Sequence, residues 1–116
     1  MRLRLLKSKI HRATVTESNL DYLGSITIDE ALMEAVGIVP HELVLVANLA
    51  NGTRHETYVI TGPRDGGVIC ANGAAARLVS AGDKVIIMAF ADLEPEEAAH
   101  HQPKIIVVDD HNRPIK

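Results

Sequence analysis

Gly24 and Ser25 form a dipeptide that can do chemistry on its own backbone. Glycine has no side chain to block approach to its carbonyl carbon, and it tolerates backbone angles that are closed to other residues. A turn that points Ser25 Oγ at the Gly24 carbonyl would let the amide shift to an ester. Elimination and hydrolysis would then leave a pyruvoyl group at the start of a new chain. The alternative is an ordinary turn, in which Gly-Ser pairs are common.

A second group of reactive side chains follows the Asn-Gly pair at 51–52, which is the strongest short-range signal for a β-hairpin. The returning strand, residues 53–61, alternates so that Arg54 and Tyr58 share one face while Thr57 takes the other. Arginine binds a carboxylate through a fork of N–H donors, and a tyrosine can donate a proton. The alternative is a cross-strand salt bridge of Arg54 beside a packed Tyr58.

Two further stretches could recognise an anion. Lys9 and His11 belong to a basic cluster at 7–12, which is either the positive rim of an anion site or the solvated edge of a strand. Asn72 and Gly73 can open a short helix whose free backbone N–H groups bind anions. The alternative for this second stretch is a tight helix start in which small residues pack closely.

Composition limits the possible classes of protein. The chain has 116 residues, which suits a single domain, and its net charge of -3 argues against a nucleic-acid binder. Cys70 is the only cysteine, so no internal disulfide or cysteine zinc site is possible, and we read it as a small core residue. The histidines lack metal-ligand spacing, so we expect no metal. With no long apolar run and no signal-peptide pattern, we expect a cytoplasmic protein that does not bind a membrane.

The remaining pattern predicts short strands separated by small helices, and closure into a barrel would protect their edges. A capping box of Thr27 with Glu30 predicts a short helix that ends at Gly37, and a helical turn is predicted at 94–98. We expect the polar tail from about Asp109 to be flexible. The predicted strands are residues 2–7, 12–16, 43–47, 53–61, 68–71, 85–90 and 104–108.

Taken together, these motifs resemble the aspartate 1-decarboxylase family, the pyruvoyl-dependent enzymes that make β-alanine for pantothenate synthesis. The resemblance implies a mainly β fold, the double-psi β-barrel, in a homotetramer with active sites between subunits. It also implies cleavage between residues 24 and 25 into a β chain (1–24) and an α chain (25–116). The resemblance extends to about Val108 and rests on the segments 9–12, 22–25, 51–58, 72–76 and 82–83.

The resemblance further implies roles for individual residues. Ser25 becomes the pyruvoyl cofactor, in place of PLP or a metal, and Thr57 positions the backbone for cleavage. Tyr58 donates the proton during decarboxylation, and Arg54 binds a substrate carboxylate. Thr57 also lines the substrate pocket, together with the backbone of Gly73, Ala74 and Ala75. The side chains of His11 and of Lys9, the latter from a neighbouring subunit, complete the pocket. Tyr22 and Asn72 lie close by.

The implied chemistry suits this set of residues. A pyruvoyl carbonyl condenses with the amine of L-aspartate to give a Schiff base, which absorbs the carbanion left when CO2 departs. Two alternatives stay open: a non-catalytic double-psi barrel that serves as a binding or interaction module, and a decarboxylase of another acidic amino acid. Gly24-Ser25 with Arg54 and Tyr58 favours an enzyme, because a binding module has no need of them.

Overall fold

The computed structural model describes residues 1–115, in which strands dominate. Both α-helices are short, and among residues 1–115 no helix has the length and apolar character needed to cross a membrane. The elements in chain order are β1 (Leu3–Thr14), β2 (Glu17–Asn19), β3 (Ser25–Asp29), α1 (Glu30–Val36), β4 (Leu43–Asn48), β5 (Arg54–Gly62), β6 (Ile69–Asn72), a 3-10 helix (Gly73–Arg77), β7 (Lys84–Leu93), α2 (Pro95–Ala98) and β8 (Lys104–Val107).

The sheet closes into a barrel through the first stretch of chain. The strands follow the order β2-β6-β3-β5-β4-β7-β1-β8, and β1 runs into β2 through Val15 and Thr16 alone. Val15 N–H donates to the Asp83 carbonyl at 2.9 Å, and Thr16 N–H donates to the Ile69 carbonyl at 2.8 Å, so this link is bonded on both sides. The mainly β fold and the barrel closure are therefore confirmed.

The barrel combines parallel and antiparallel neighbours. β3 runs parallel to β5, and β2 runs parallel to β6, whereas β3 is antiparallel to β6 and β4 is antiparallel to both β5 and β7. The hairpin predicted at 51–52 joins β4 and β5 as expected. A mixed ring of this kind is the arrangement expected of a double-psi β-barrel.

The core is aliphatic, as a chain with 3% aromatic residues requires. Buried residues alternate with more exposed ones along most of β7, whereas β3 and β6 are buried at nearly every position. In β7, packing of the inward-facing side chains fixes the register, because a slip of one residue would expose them. The largest fully buried side chains include Ile10, Ile28, Leu32, Ile69 and Ile87.

The start of α1 differs from the sequence prediction. The predicted capping box of Thr27 with Glu30 is wrong, because Thr27 lies inside β3 and pairs with strands on both sides. The chain leaves the sheet only after Asp29, whose Oδ1 accepts a hydrogen bond from Ala31 N–H at 2.9 Å and so caps the helix. The helix ends at Gly37 as predicted, with a left-handed φ of 75°.

β1 is one continuous strand where the sequence predicts two, at 2–7 and 12–16. Its pairing with β7 shifts register after Leu6 and again after Ile10, so local irregularities absorb the basic segment. β8 pairs with this same segment on its other edge. Hydrogen bonding on both edges keeps the strand continuous despite its polar composition.

The tail from about Asp109, for which the sequence predicts flexibility, contacts the barrel through Asn112. Asn112 is 1% exposed, and its Oδ1 accepts a hydrogen bond from Thr14 N–H at 2.7 Å. Its Nδ2 donates to the carbonyls of Thr14 and Gly67 at 2.9 and 2.8 Å. These partners lie far away in the sequence, so local composition gave no sign of them.

Candidate active site

Ser25 is the first residue of β3 and is fully buried, whereas Gly24 before it is exposed. The Ser25 hydroxyl donates to the carbonyl of Leu23 at 3.4 Å, two residues back. This contact directs the hydroxyl back along the chain, toward Leu23. Ser25 thus opens a short strand that leads directly into α1.

Asn72 holds the Ser25 hydroxyl in place. Ser25 and Asn72 are paired across the antiparallel strands β3 and β6, and Asn72 Nδ2 donates to Ser25 Oγ at 2.9 Å. The same amide nitrogen lies 3.1 Å from Thr27 Oγ1. The hydroxyl therefore has one fixed donor and one fixed acceptor, which restricts its rotation.

Cys70 fixes the orientation of the Asn72 amide. Burial, with a smaller contribution from Glu17, raises the pKa of the Cys70 thiol, so it stays protonated. Its Sγ lies 3.1 Å from Asn72 Oδ1 and donates to it. The amide oxygen is thereby directed to Cys70 and the amide nitrogen to Ser25, so Cys70 does more than fill the core.

Gly73 packs directly on Gly24. A Cβ at position 73 would lie 2.7 Å from both the Cα and the nitrogen of Gly24, and 3.0 Å from the carbonyl oxygen of Tyr22. Gly73 also has a left-handed φ of 66°, which favours glycine. By contrast, a Cβ built on Gly24 would meet no atom within 4 Å beyond its chain neighbours. Gly24 is therefore backed by Gly73 and open on its other side.

The open side of Gly24 faces a cleft of about 350 Å³. Parallel pairing of Ile26 with Val59 brings the preceding residues of β5 beside Gly24. The 3-10 helix, which begins at Gly73 as the sequence predicts, supplies the opposite wall. The cleft is lined by Gly24, His55, Glu56, Thr57, Tyr58, Ala74, Ala75 and Leu78.

The structure brings together most of the predicted site residues. Gly24, Thr57, Tyr58, Ala74 and Ala75 line one cleft, and Tyr58 is 37% exposed toward solvent. Asn72 and Gly73 contact the Gly24-Ser25 pair from behind without lining the cleft. The backbone carbonyl of Tyr22 lies beside Gly73, and Tyr22 is 58% exposed.

Three predicted residues do not line the cleft of their own chain. Arg54 lies on β5, on the exposed face that it shares with Tyr58, as the alternation predicts. Lys9 and His11 lie on β1, which β7 and β4 separate from β5. Burial, followed by the nearby charges of Lys9 and Arg12, lowers the pKa of His11. The predicted role of Lys9 from a neighbouring subunit is compatible with this separation.

His55 and Leu78 line the cleft but were missed by sequence reasoning. The alternation of β5 could have identified His55, because it puts residue 55 on the same face as Thr57. Leu78 follows the 3-10 helix and carried no signal. Burial lowers the pKa of His55, so its imidazole is neutral near pH 7.

A larger groove of about 600 Å³ lies next to the cleft and shares Glu56 with it. Its other lining residues are Arg4, Glu42, Leu43, Val44, Leu45, Phe90 and Asp92. Arg4 and Asp92 form an ion pair at 2.9 Å, and this contact raises the pKa of Arg4 and lowers that of Asp92. Because the groove contains neither Gly24 nor Tyr58, we assign the site to the smaller cleft.

Known proteins resemble this chain over its whole length. An aspartate 1-decarboxylase of Lactiplantibacillus plantarum is 62% identical over 116 residues, which cover 100% of this chain and 89% of that protein. One of Caldicellulosiruptor saccharolyticus is 64% identical over 116 residues, covering 100% and 91%. One of Bacillus subtilis is 57% identical over 109 residues, covering 94% and 86%.

Among solved structures, the computationally designed msDPBB_sym2 protein aligns with a TM-score of 0.46 and 20% identity, covering 75% of this chain and 99% of that one. Residues 1–115 match the aspartate decarboxylase family. With relatives near 60% identity over the full chain, this protein belongs to the aspartate decarboxylase family.

Proposed function

We propose that this protein removes the α-carboxylate of L-aspartate to give β-alanine and CO2, and so supplies β-alanine for pantothenate and coenzyme A synthesis. The observation that carries the proposal is the buried Ser25 hydroxyl, fixed by Asn72 at 2.9 Å beside a Gly24 that opens onto the cleft containing Tyr58. Family membership supports the same activity. L-Aspartate is a soluble metabolite, and we assign the enzyme to the cytoplasm.

The first step is cleavage of the chain itself. Ser25 Oγ attacks the Gly24 carbonyl carbon, the C–N bond breaks, and the hydroxyl proton passes to the Ser25 nitrogen. Loss of the Ser25 Cα proton then breaks the Cβ–Oγ bond and releases Gly24 as a carboxylate. Water adds to the remaining chain and ammonia leaves, which gives a β chain of residues 1–24 and an α chain of residues 25–116. Thr57 lines the cleft beside Gly24 and positions its carbonyl for the attack.

The residues around Ser25 fit a prosthetic group made in place. The site needs no entry path for the group, because the pyruvoyl carbons come from Ser25, which is fully buried. Asn72 stays beside the new chain start, and the cleft adjoins it through Gly24. When present, the pyruvoyl group supplies an electrophilic carbonyl and an electron sink for decarboxylation.

The chain's own residues then bind the substrate and move one proton. Arg54 pairs with a substrate carboxylate through its planar fork of donors. Tyr58, which lines the cleft, donates a proton to the substrate Cα after CO2 has left. Ala74 and Ala75 form the facing wall, where small side chains leave room for a short amino acid. Lys9, from a neighbouring subunit, and His11 complete the anion site.

We propose a homotetramer with its active sites between subunits. Lys9 is separated from the cleft of its own chain by two strands, which supports a role for it in the cleft of a neighbouring chain. The groove beside the cleft exposes apolar side chains that a neighbour could cover: Leu43 is 61% exposed and Phe90 is 41% exposed. Burial of such side chains favours association.

Mass spectrometry under denaturing conditions tests the proposal. The wild-type protein should give two chains, residues 1–24 and 25–116, the second without a free amino terminus, and should convert L-aspartate to β-alanine. Ser25→Ala should remain one inactive chain, whereas Ser80→Ala, at an exposed serine, should cleave like wild type. An uncut wild-type chain with full activity, or a cleaved Ser25→Ala chain, would contradict the mechanism. Absence of decarboxylation by the fully cleaved wild type would favour a binding module.

A further inference from the structure

His55 is a polar side chain in the cleft to which the proposed reaction gives no role. It lies on β5 two residues before Thr57, so the two side chains share a face of the strand. It lines the same cleft as Gly24, Ala74 and Ala75. Any ligand that reaches Gly24 through this cleft therefore passes along the imidazole.

Both ring nitrogens of His55 are buried without a hydrogen-bond partner among residues 1–115, although the residue lines the cleft, so the ring must rotate before either nitrogen can meet a ligand there. In the described part of the chain only His11 Nδ1 is also buried without a partner, whereas the buried side chains of Ser8, Asp29 and Asn112 all have protein partners. A neutral imidazole carries one N–H donor and one acceptor nitrogen, whichever tautomer is present. Leaving such groups unpaired destabilises the protein, so a built-in partner would normally be expected.

The surroundings of His55 offer no such partner. Across the strand it faces Val46, which is 1% exposed, and the opposite wall of the cleft consists of Ala74, Ala75 and Leu78. These groups are apolar, and the dry setting explains the lowered pKa of His55. The ionisable side chains of the cleft besides His55 are Glu56 and Tyr58, and Glu56 alternates to the exposed face of β5.

We propose that His55 is a substrate-binding residue, whose ring N–H donates a hydrogen bond to a carboxylate oxygen of the acidic amino acid held in the cleft. The proposal rests on the proposed function, because it takes the cleft beside Gly24 to be the substrate pocket. A carboxylate is the most suitable partner, since a neutral imidazole donates to an anion without adding charge. The substrate has two carboxylates, of which Arg54 holds one. His55 binds an oxygen of the carboxylate that the product retains.

The test compares variants that keep the shape of His55 with variants that keep its hydrogen bond. His55→Phe retains a planar ring and removes both nitrogens. His55→Asn and His55→Gln replace the donor at the positions of Nδ1 and Nε2 respectively. His100→Leu is the control, because His100 is exposed on the chain just after α2 and does not line the cleft.

Cleavage of each variant is measured first by mass spectrometry, and only the fully cleaved protein is used afterwards. Succinate, a dicarboxylate without an amine, is titrated into each protein by calorimetry, and KM and kcat for L-aspartate are determined separately. We expect His55→Phe to raise the succinate Kd and the KM by about 10- to 100-fold, the range for a hydrogen bond to a charged group. Its kcat should change little, because the contact exists before and after decarboxylation.

Rescue decides between a hydrogen bond and a packing role. His55→Asn or His55→Gln should restore most of the affinity, and His100→Leu should match wild type. Unchanged succinate affinity in cleaved His55→Phe would overturn the proposal, as would equal losses in all three His55 variants. If His55→Phe fails to mature, His55→Leu replaces it, and failure of both would overturn the proposal in favour of a role in maturation. A wild type that cleaves and decarboxylates confirms the proposed function independently of these outcomes.

Discussion

Gly73 lies against Gly24 so closely that a single added carbon would come within 2.7 Å of the Gly24 Cα and nitrogen. The contact joins the start of the 3-10 helix to the bond that is proposed to break. It holds the Gly24 peptide from one side, while Asn72 holds the Ser25 hydroxyl at 2.9 Å. The two reacting groups are thus fixed by consecutive residues of one short segment.

Gly73→Ala should therefore slow or prevent cleavage, because the new methyl group must displace Gly24. Gly52→Ala is the matched control: Gly52 also has a left-handed φ, at 74°, but nothing lies within 4 Å of its added Cβ. Both variants carry the backbone strain of roughly 1–2 kcal/mol, and only the first disturbs Gly24. A time course by denaturing mass spectrometry measures the 25–116 fragment. Equal cleavage rates in the two variants would show that the contact is unimportant.

Tyr58→Phe should mature normally and turn over slowly. The substitution keeps the ring and its place in the cleft, and it removes only the phenolic proton. Cleavage depends on Ser25 and its neighbours, so the mass spectrum should match wild type. A positioned general acid contributes on the order of 10²–10⁴-fold, and kcat for aspartate should fall by that factor. A fully cleaved Tyr58→Phe enzyme with near wild-type kcat would assign the proton donor elsewhere.

A shared active site predicts complementation between inactive chains. Lys9→Ala and Tyr58→Phe should each be poorly active alone, and co-expression should restore activity, because some sites then combine an intact Lys9 with an intact Tyr58 from another chain. Ser25→Ala with Tyr58→Phe is the control pair. Residues 24 and 58 line the same cleft of one chain, so no mixed site can be intact. Light scattering should show tetramers throughout. An active monomer would contradict the shared site. So would a co-expressed pair of Lys9→Ala and Tyr58→Phe that is no more active than the control pair.

Asp29→Asn should destabilise the fold. The Asp29 carboxylate is 1% exposed and accepts backbone hydrogen bonds from Ala31, Asp65 and Gly67, each at 2.9 Å. An amide nitrogen cannot accept, so at least one buried donor loses its partner and the free energy of unfolding should fall by about 1–3 kcal/mol. Urea unfolding in a Ser25→Ala background measures this on one uncut chain. Glu30→Gln, which removes a half-exposed carboxylate whose contact with Arg64 is long, at 3.5 Å, should change it by less than about 0.5 kcal/mol.

The same carboxylate predicts part of the acid sensitivity. Burial raises the pKa of Asp29, but the three backbone N–H donors outweigh it, with help from Arg113, and the net pKa is lowered. The unfolded chain therefore binds the proton more readily, and the contribution of Asp29 is lost as pH falls below its ordinary value of 3.8 through the folded pKa. Urea titrations between about pH 5 and pH 3 should show a shallower decline for Asp29→Asn than for Glu30→Gln. Parallel declines would contradict this assignment.

The sequence correctly predicted the turns and helix ends that are determined by neighbouring residues. The Asn-Gly pair located the β4–β5 hairpin, and the glycine at 37 ended α1 in the structure as in the prediction. The capping box failed because Thr27 pairs in the sheet on both sides, which no local motif can reveal. Asn112 was missed for the same reason, since its partners Thr14 and Gly67 are distant in sequence.

In the candidate site, too, some residues were predicted from sequence motifs and others were not. Thr57 and Tyr58 join Gly24 because β3 and β5 run parallel in register, and the family motifs marked these positions in advance. His55 carried no motif, and its buried, unpartnered nitrogens become visible only when the cleft is seen. Lys9 illustrates a different limit, because a role between subunits cannot be read from the geometry of one chain.

The link from β1 into β2 has a consequence for the mature enzyme. The proposed cut falls between β2 and β3, so the released piece, residues 1–24, carries the strand pair that closes the barrel between β6 and β7. That piece remains bonded along both edges, and each subunit of the cut enzyme is a non-covalent complex of two peptides. Unfolding liberates two molecules per subunit instead of one, so the melting temperature of the cut tetramer should rise more steeply with protein concentration than that of an uncut Ser25→Ala tetramer.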